Sequence, residues 1–298
     1  MSEITLCHYM KEIIGELREQ GKLQTASSYI SALGHFSAFM QGGTILLSEI
    51  NTQQICAFRD YLVAHNVSDN TVAYYLSTIR AVYNKAVKQG LIRNEYPFEE
   101  VSTRVAVPKY VALSKEQFCD LQELDLTGKP ELAFARDMFL LSFYLRGMSY
   151  YDMAELKISS IRDGVIEYCD KDGEAVVVEL EPVISEIIER YRGKTIGTDY
   201  LLPIYTPDTD NYASAVRVLN MQLKKIAAMA KIDAALTSAT ARHSWAAIAL
   251  KKGLSKKLIS RCLGYKNDYF SQKYLENLEN LVITNVNRMV IGSLKNSR

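Results

Sequence analysis

Between Leu236 and Leu278 the chain places Arg242-His243-Ser244, a glycine at 253, the pair Leu263-Gly264, and Tyr274. Cleaving a phosphodiester without a metal or a nucleotide takes three groups. A nucleophile attacks in line, cations stabilise the crowded phosphorane, and an acid protonates the leaving oxygen. This segment holds a nucleophile, Tyr274, and a cation, Arg242, within one short stretch. The surrounding charge fits a polyanion. From Asn211 to Asn267 there are eleven Lys or Arg and one acid, Asp233, whereas Ser114–Glu189 is crowded with Asp and Glu. A solvated helix face usually mixes both signs, so the block reads as an electrostatic footprint for a phosphate backbone. Lys224, Lys225, Lys251, Lys252, Lys256 and Lys257 are its candidate contacts.

These residues need elements to hold them, and the periodicity is mostly helical. Helices are expected at 183–192, 212–231, 239–252, 256–263 and about 268–278. One β interruption breaks the pattern: 164–168 and 175–180 are β-rich and flank Asp170-Lys171-Asp172-Gly173, a hairpin-turn signal. Ser114 with Gln117 forms a capping box that opens a helix. Upstream, Ile30, Leu33, Phe36 and Met40 make one apolar stripe. Ile55, Phe58 and Leu62 make a second, and Val72, Leu76, Ile79, Tyr83 and Val87 a third. Ser68 or Asp69 caps the last of these helices and Gly90 ends it. From Asn70 to Asn94 the basic residues are Arg80, Lys85, Lys88 and Arg93, with no acid among them, which suits a helix lying on DNA.

The 298 residues, 48% hydrophobic with formal net charge +1, describe a globular chain of two domains. The expected division is a helical N-terminal domain over 1–103, a linker over 104–113 containing Pro108, and a second domain over 114–298. The apolar stripe Val282, Val286, Met289 and Val290 forms a tail able to dock on a neighbour. No run of apolar residues is long enough to span a bilayer and the start lacks a signal-peptide layout, so the expectation is a cytoplasmic protein with no membrane partner. The five cysteines are scattered with no metal-finger spacing, so reduced thiols and no metal site are expected.

Arg242-His243-Ser244, Leu263-Gly264 and Tyr274 together resemble the second half of the tyrosine recombinase/integrase signature. The family pattern is His-x-x-Arg, then Leu-Gly-His, then the nucleophilic tyrosine nine residues on. Tyr265 occupies the last histidine slot and Tyr274 the nucleophile's. The resemblance implies a mainly α fold with a small antiparallel sheet, comprising a helical core-binding domain and a mixed α/β catalytic domain. It implies site-specific recombination of double-stranded DNA through a 3′-phosphotyrosine, with no cofactor. A homo-tetramer on two DNA sites would do the work, with room for accessory DNA-bending proteins. Tyr274, Arg242 and the hairpin lysine Lys171 would be catalytic.

Three slots depart from the pattern. Phe143–Asp152 resembles the family's Gly-Leu-Arg-x-x-Glu segment, but aligned on Gly147 and Asp152 its arginine slot holds Ser149. Arg146 precedes it by three residues. Positions i and i+3 share a helix face, so a one-turn shift would let Arg146 substitute, while the Ser149 hydroxyl keeps a weaker donor for a phosphate oxygen. Ala239 replaces the histidine of His-x-x-Arg and Tyr265 that of Leu-Gly-His, the latter keeping one O–H donor. His243 reads as a packing residue. These departures motivate an alternative, a recombinase-derived DNA-binding protein with reduced or lost cleavage. Retention of both Arg242 and Tyr274 favours the enzyme.

Overall fold

The Thr5 hydroxyl accepts from the His8 amide at 3.2 Å and opens α1 (Leu6–Glu19), whose Leu6, Tyr9, Met10, Ile13 and Ile14 recur at helical spacing and are buried. The structure is a computed structural model that describes residues 4–103, 110–169, 173, 175–205, 211–265, 272–276 and 278–279. Two units divide it, Met1–Pro108 and Lys109–Arg298.

In the first unit α1 is followed by α2 (Leu23–Phe39), α3 (Thr52–Ala64) and α4 (Asp69–Lys88). Asn51 and Gln54 satisfy each other's backbone amides at the start of α3, a capping box. The stripes expected on α3 and α4 face the core: Ile55, Phe58, Leu62, Val72, Leu76, Ile79 and Tyr83 are buried, and Val87 packs at the edge. On α2 three residues of the expected stripe pack, Phe36 within the core and Leu33 and Met40 against it, and one does not. Ile30 is 42% exposed, while Ala32 and Phe36 enter the core and Phe36 meets Phe58 edge-on at 5.0 Å. This helix is apolar around much of its surface, so packing rather than periodicity chooses its face. Ser68 is the N-cap residue of α4. At its other end Gly90, with φ +72°, donates to Val87 O and Leu91 to Ala86 O, the two bonds of a Schellman motif.

The second unit is built on α6 (Pro130–Tyr144), which buries Met138, Phe139, Leu140 and Leu141 on several sides at once. Such a helix belongs at the centre of a core, and α5 (Lys115–Glu123), α8 (Pro182–Tyr191), α9 (Tyr212–Met229) and α10 (Thr240–Lys251) pack against it. The capping box of Ser114 and Gln117 opens α5 as expected. The buried Asp137 carboxylate ties α6 to α8, accepting from Tyr191 Oη at 2.8 Å and from Arg190 at 2.5 Å, with Arg136 on its other oxygen. α7 (Tyr150–Glu155) leads to an antiparallel sheet of β1 (Ile161–Arg162), β2 (Val165–Cys169) and β3 (Ala175–Glu179), in order β1-β2-β3. Cys169 pairs with Ala175 and Val165 with Glu179, so the expected hairpin is present, with Ile166 and Val178 turned into the core.

α11 (Lys256–Cys262) and the helical residues 272–276 close a separate apolar cluster on α10, comprising Ala246, Ala249, Ile259, Leu263, Tyr274, Leu275 and Leu278. The architecture is mainly α with one small antiparallel sheet. No described helix is long and apolar enough to cross a membrane. Lys171, residues 104–109 of the expected linker and the stripe at 282–290 lie outside the described residues.

Candidate active site

Two helix ends and one helix start meet around Arg242. α11 stops in a Schellman motif: Gly264, at φ +75°, donates to Arg261 O at 3.1 Å and Tyr265 to Ser260 O at 3.1 Å. This reversal leaves the Leu263 carbonyl without a helical donor and turns the Tyr265 ring back toward α10. The Arg242 guanidinium satisfies that carbonyl through Nη2 and stacks on Tyr265, its Cζ 4.8 Å from the ring centroid. A cation over an aromatic face at this distance is attracted by the ring quadrupole. The histidine slot filled by Tyr265 therefore orients the arginine.

The second helix end is that of α6. Arg146 donates its amide to Phe143 O and Gly147 to Ser142 O at 2.8 Å, another Schellman pattern, with φ +57° at Arg146 and +74° at Gly147. The Gly147 carbonyl accepts from Arg242 Nη1 at 2.9 Å. A Cβ on Gly147 would lie 2.9 Å from both Cα and Cγ of Arg242, so only glycine lets this turn approach α10. Gly147→Ala is expected to cost roughly 1–3 kcal/mol in backbone strain alone, with a further cost from displacing Arg242. A thermal melt reads the first and a cleavage assay the second; a melt at the wild-type temperature would show that the turn yields freely.

The expectation that Arg146 and Ser149 share a helix face is corrected. α6 ends at Tyr144 and α7 begins at Tyr150, so both residues sit in the connecting turn. Left-handed backbone at Arg146 and Gly147 reverses the chain there, and the i,i+3 rule does not apply. Arg146 Nη2 donates to Val177 O on β3 at 2.5 Å, and its buried Nε has no partner among the described residues. The Ser149 hydroxyl is not a free donor either. As N-cap of α7 it accepts from the Asp152 amide at 3.1 Å and donates to Asp152 Oδ2 at 2.6 Å. Ala239 is exposed at the start of α10 and caps it with no side-chain bond.

Tyr274 lies in an aromatic cage. Its ring meets Tyr110 edge-on at 5.1 Å, His243 at 5.7 Å and Tyr265 at 5.7 Å. It is 8% exposed, and its hydroxyl has no partner among the described residues. Burial pushes its phenol well above the ordinary range, Tyr265 adds to the shift, and the Arg242 charge opposes it. His243 also packs against Tyr110, at 4.8 Å. Burial holds its pKa down to about 4 against a hydrogen bond with the Val111 backbone, and Arg242 lowers it further. The segment from Tyr110 is laced to α10 once more, by the Leu113 amide on Ser244 Oγ at 2.8 Å. Tyr110 was not legible as a site residue, because it falls in a stretch without periodicity.

Arg242, Tyr265 and Tyr274 are thus brought together, with Arg146 tied to the hairpin strand β3. In the second unit Lys224, Lys225, Lys251, Lys252 and Lys257 are exposed, and Lys256 is paired with Glu279 at 2.6 Å. In the first unit Arg80, Lys88 and Arg93 are exposed, Arg80 reaching Thr103 at 3.2 Å, and Lys85 is paired with Glu16.

Two family profiles match the chain, the phage integrase SAM-like domain over residues 5–102 and the phage integrase family over residues 116–280. The tyrosine recombinase XerD of Shewanella oneidensis is 22% identical over 260 residues, 84% of this chain and 85% of its own length. The tyrosine recombinase XerC of Syntrophus aciditrophicus is 24% identical over 281 residues, 87% of this chain and 89% of its own. Among solved structures, a lambda integrase (75–356) dimer bound to a COC' core site aligns with a TM-score of 0.71 at 16% identity, covering 92% of this chain and 96% of that one. The Tn1549 transposon integrase in complex with a circular intermediate DNA aligns at 0.63 and 13%, covering 91% and 95%. These two likenesses concern the fold. With an N-terminal and a catalytic profile together spanning nearly its whole length, the chain belongs to the phage integrase family and is a tyrosine-type site-specific DNA recombinase.

Proposed function

We propose that Tyr274 is the nucleophile of this recombinase, attacking the scissile phosphate to give a 3′-phosphotyrosine. The observation that carries the reading is the join between Arg242 and Tyr274: the guanidinium stacks on Tyr265, whose ring in turn meets that of Tyr274. Arg242 holds the phosphate and the charge that develops on it, because a preorganised cation acts most strongly where water is excluded. Tyr265 keeps that cation aimed. Lys171, between β2 and β3 in the sequence, protonates the departing 5′ oxygen. The free 5′ hydroxyl of a partner strand then attacks the phosphotyrosine, so the bond energy is retained and no cofactor is consumed. Four copies act on two DNA sites, as the solved lambda integrase tetramer on a Holliday junction illustrates for that protein, and the stripe at 282–290 docks on a neighbouring copy. Accessory DNA-bending proteins are compatible with this scheme, and the setting is the cytoplasm. A suicide substrate, nicked so that the cleaved strand is lost, tests the reading by trapping the covalent adduct; wild-type protein that binds the duplex and traps none would overturn it.

Arg146 serves as the second cation. It occupies left-handed backbone, which costs a non-glycine residue about 1–2 kcal/mol, and strain of this kind collects at functional sites. Arg146→Gly should therefore melt near the wild-type temperature, the strain relief offsetting the lost bond to Val177 O, while adduct formation falls by orders of magnitude. Near-normal cleavage by this variant would remove Arg146 from the site.

The exposed lysines and arginines of both units contact the DNA backbone. With six to ten phosphate contacts, affinity should fall by about three to five decades between roughly 50 and 200 mM salt. A flat response in a filter-binding titration would remove these residues from the interface.

A further inference from the structure

The second unit contains one histidine, His243. The two positions where the signature has imidazoles hold Ala239, which has no polar side-chain atom, and Tyr265, whose ring is engaged by Arg242. His243 sits beside Arg242 on α10, and its ring lies 5.7 Å from that of Tyr274. Each of the two rings carries one buried polar atom with no partner among the described residues, Nδ1 on His243 and Oη on Tyr274. A buried polar group left unpaired is costly, so two such atoms in neighbouring rings of one cage are an unusual juxtaposition for packing alone. Tyr110 closes the cage from the segment that the Leu113 amide ties to Ser244 on α10.

We propose that His243 is a catalytic residue whose Nδ1 takes the phenolic proton of Tyr274 as that oxygen attacks the scissile phosphate. The inference rests on Tyr274 being the nucleophile. In the forward step the Tyr274 O–H bond breaks and an N–H bond forms on His243. The new bond runs from Tyr274 Oη to phosphorus, and the bond from phosphorus to the 5′ oxygen breaks, that oxygen taking its proton from a separate acid. In the rejoining step the imidazolium returns its proton to the tyrosine oxygen as it leaves. The groups facing His243 suit this cycle. Burial, against a hydrogen bond with the Val111 backbone, and Arg242 on its own helix favour an uncharged ring, so Nδ1 keeps a lone pair to accept with beside the rings of Tyr110 and Tyr274. A phosphate arriving at Arg242 brings the negative charge that raises the ring's affinity for a proton.

The test uses the full-length protein and a nicked suicide duplex that the wild type has itself selected from a random-sequence pool. His243→Phe keeps a ring in the cage and removes the nitrogen. It should bind the duplex with wild-type affinity and form the adduct about 10²–10⁴-fold more slowly. His243→Ala should be similarly slow and should recover, saturably, as imidazole is added, whereas a residue that merely packs would show no such recovery. Tyr274→Phe should form no adduct with or without imidazole. His243→Phe cleaving at the wild-type rate, or a DNA-binding His243→Ala that ignores imidazole, would overturn the proposal and leave Tyr274 as nucleophile. An adduct persisting in Tyr274→Phe would overturn both.

Discussion

Tyr274→Phe is expected to abolish the covalent protein–DNA adduct while leaving DNA affinity and stability close to wild type. The ring is buried, with neighbours Tyr110, His243 and Tyr265 at 5.1–5.7 Å, and phenylalanine preserves each of those contacts. The only group lost is a hydroxyl that has no partner among the described residues. Removing an unpaired buried donor relieves a penalty of about 1–3 kcal/mol, so the variant should melt at or slightly above the wild-type temperature. The measurement pairs a denaturing gel of the suicide-substrate reaction with a melt. An adduct in the variant would move the nucleophile, with Tyr269, outside the described residues, next in order.

Arg242→Ala has the second large effect, and it divides between function and fold. Losing one preorganised donor typically removes about 3–4 kcal/mol of transition-state stabilisation, or 10²–10³ in rate. The same guanidinium holds two main-chain carbonyls, Gly147 O from the end of α6 and Leu263 O from the end of α11. Hydrogen bonds from a charged donor contribute about 1.5–3 kcal/mol each, so the melting temperature should drop as well. Arg242→Lys separates the two contributions. It keeps the charge but lacks the planar fork that reaches both carbonyls and stacks on Tyr265, so cleavage should remain low while salt-dependent DNA binding persists. An Arg242→Ala protein that folds and cleaves normally would exclude the residue from the chemistry.

Both results turn on features that differ in how far the sequence carries them. The stripes of α3 and α4, the capping box at Ser114, the presence of a hairpin around Gly173 and the spacing from Arg242 to Tyr274 follow from local rules: period, turn chemistry and charge along a short stretch of chain. Where a helix is apolar on several sides, as α2 is, the period cannot choose a face, and Ile30 ended outside.

By itself, then, the sequence determined the family, the mainly helical architecture and the order of the candidate residues, because stripes and caps are written within single elements and the signature in spacings along one short stretch of chain. The position of Arg146 was different. Its place in the series suggested a helix, but the helix ends at Tyr144, and two consecutive left-handed residues turn the chain so that Gly147 can lie against Arg242. Ser149 likewise looked like a spare donor until its hydroxyl met Asp152. Tertiary structure alone decided that Tyr265 stacks under Arg242, that Tyr110 and His243 wall in Tyr274, and that the ends of α6 and α11 converge on one guanidinium. The physical reason is range. Caps and stripes are settled by neighbours within a turn or two, whereas a cage is assembled from segments far apart in the chain, whose meeting depends on how the core closes.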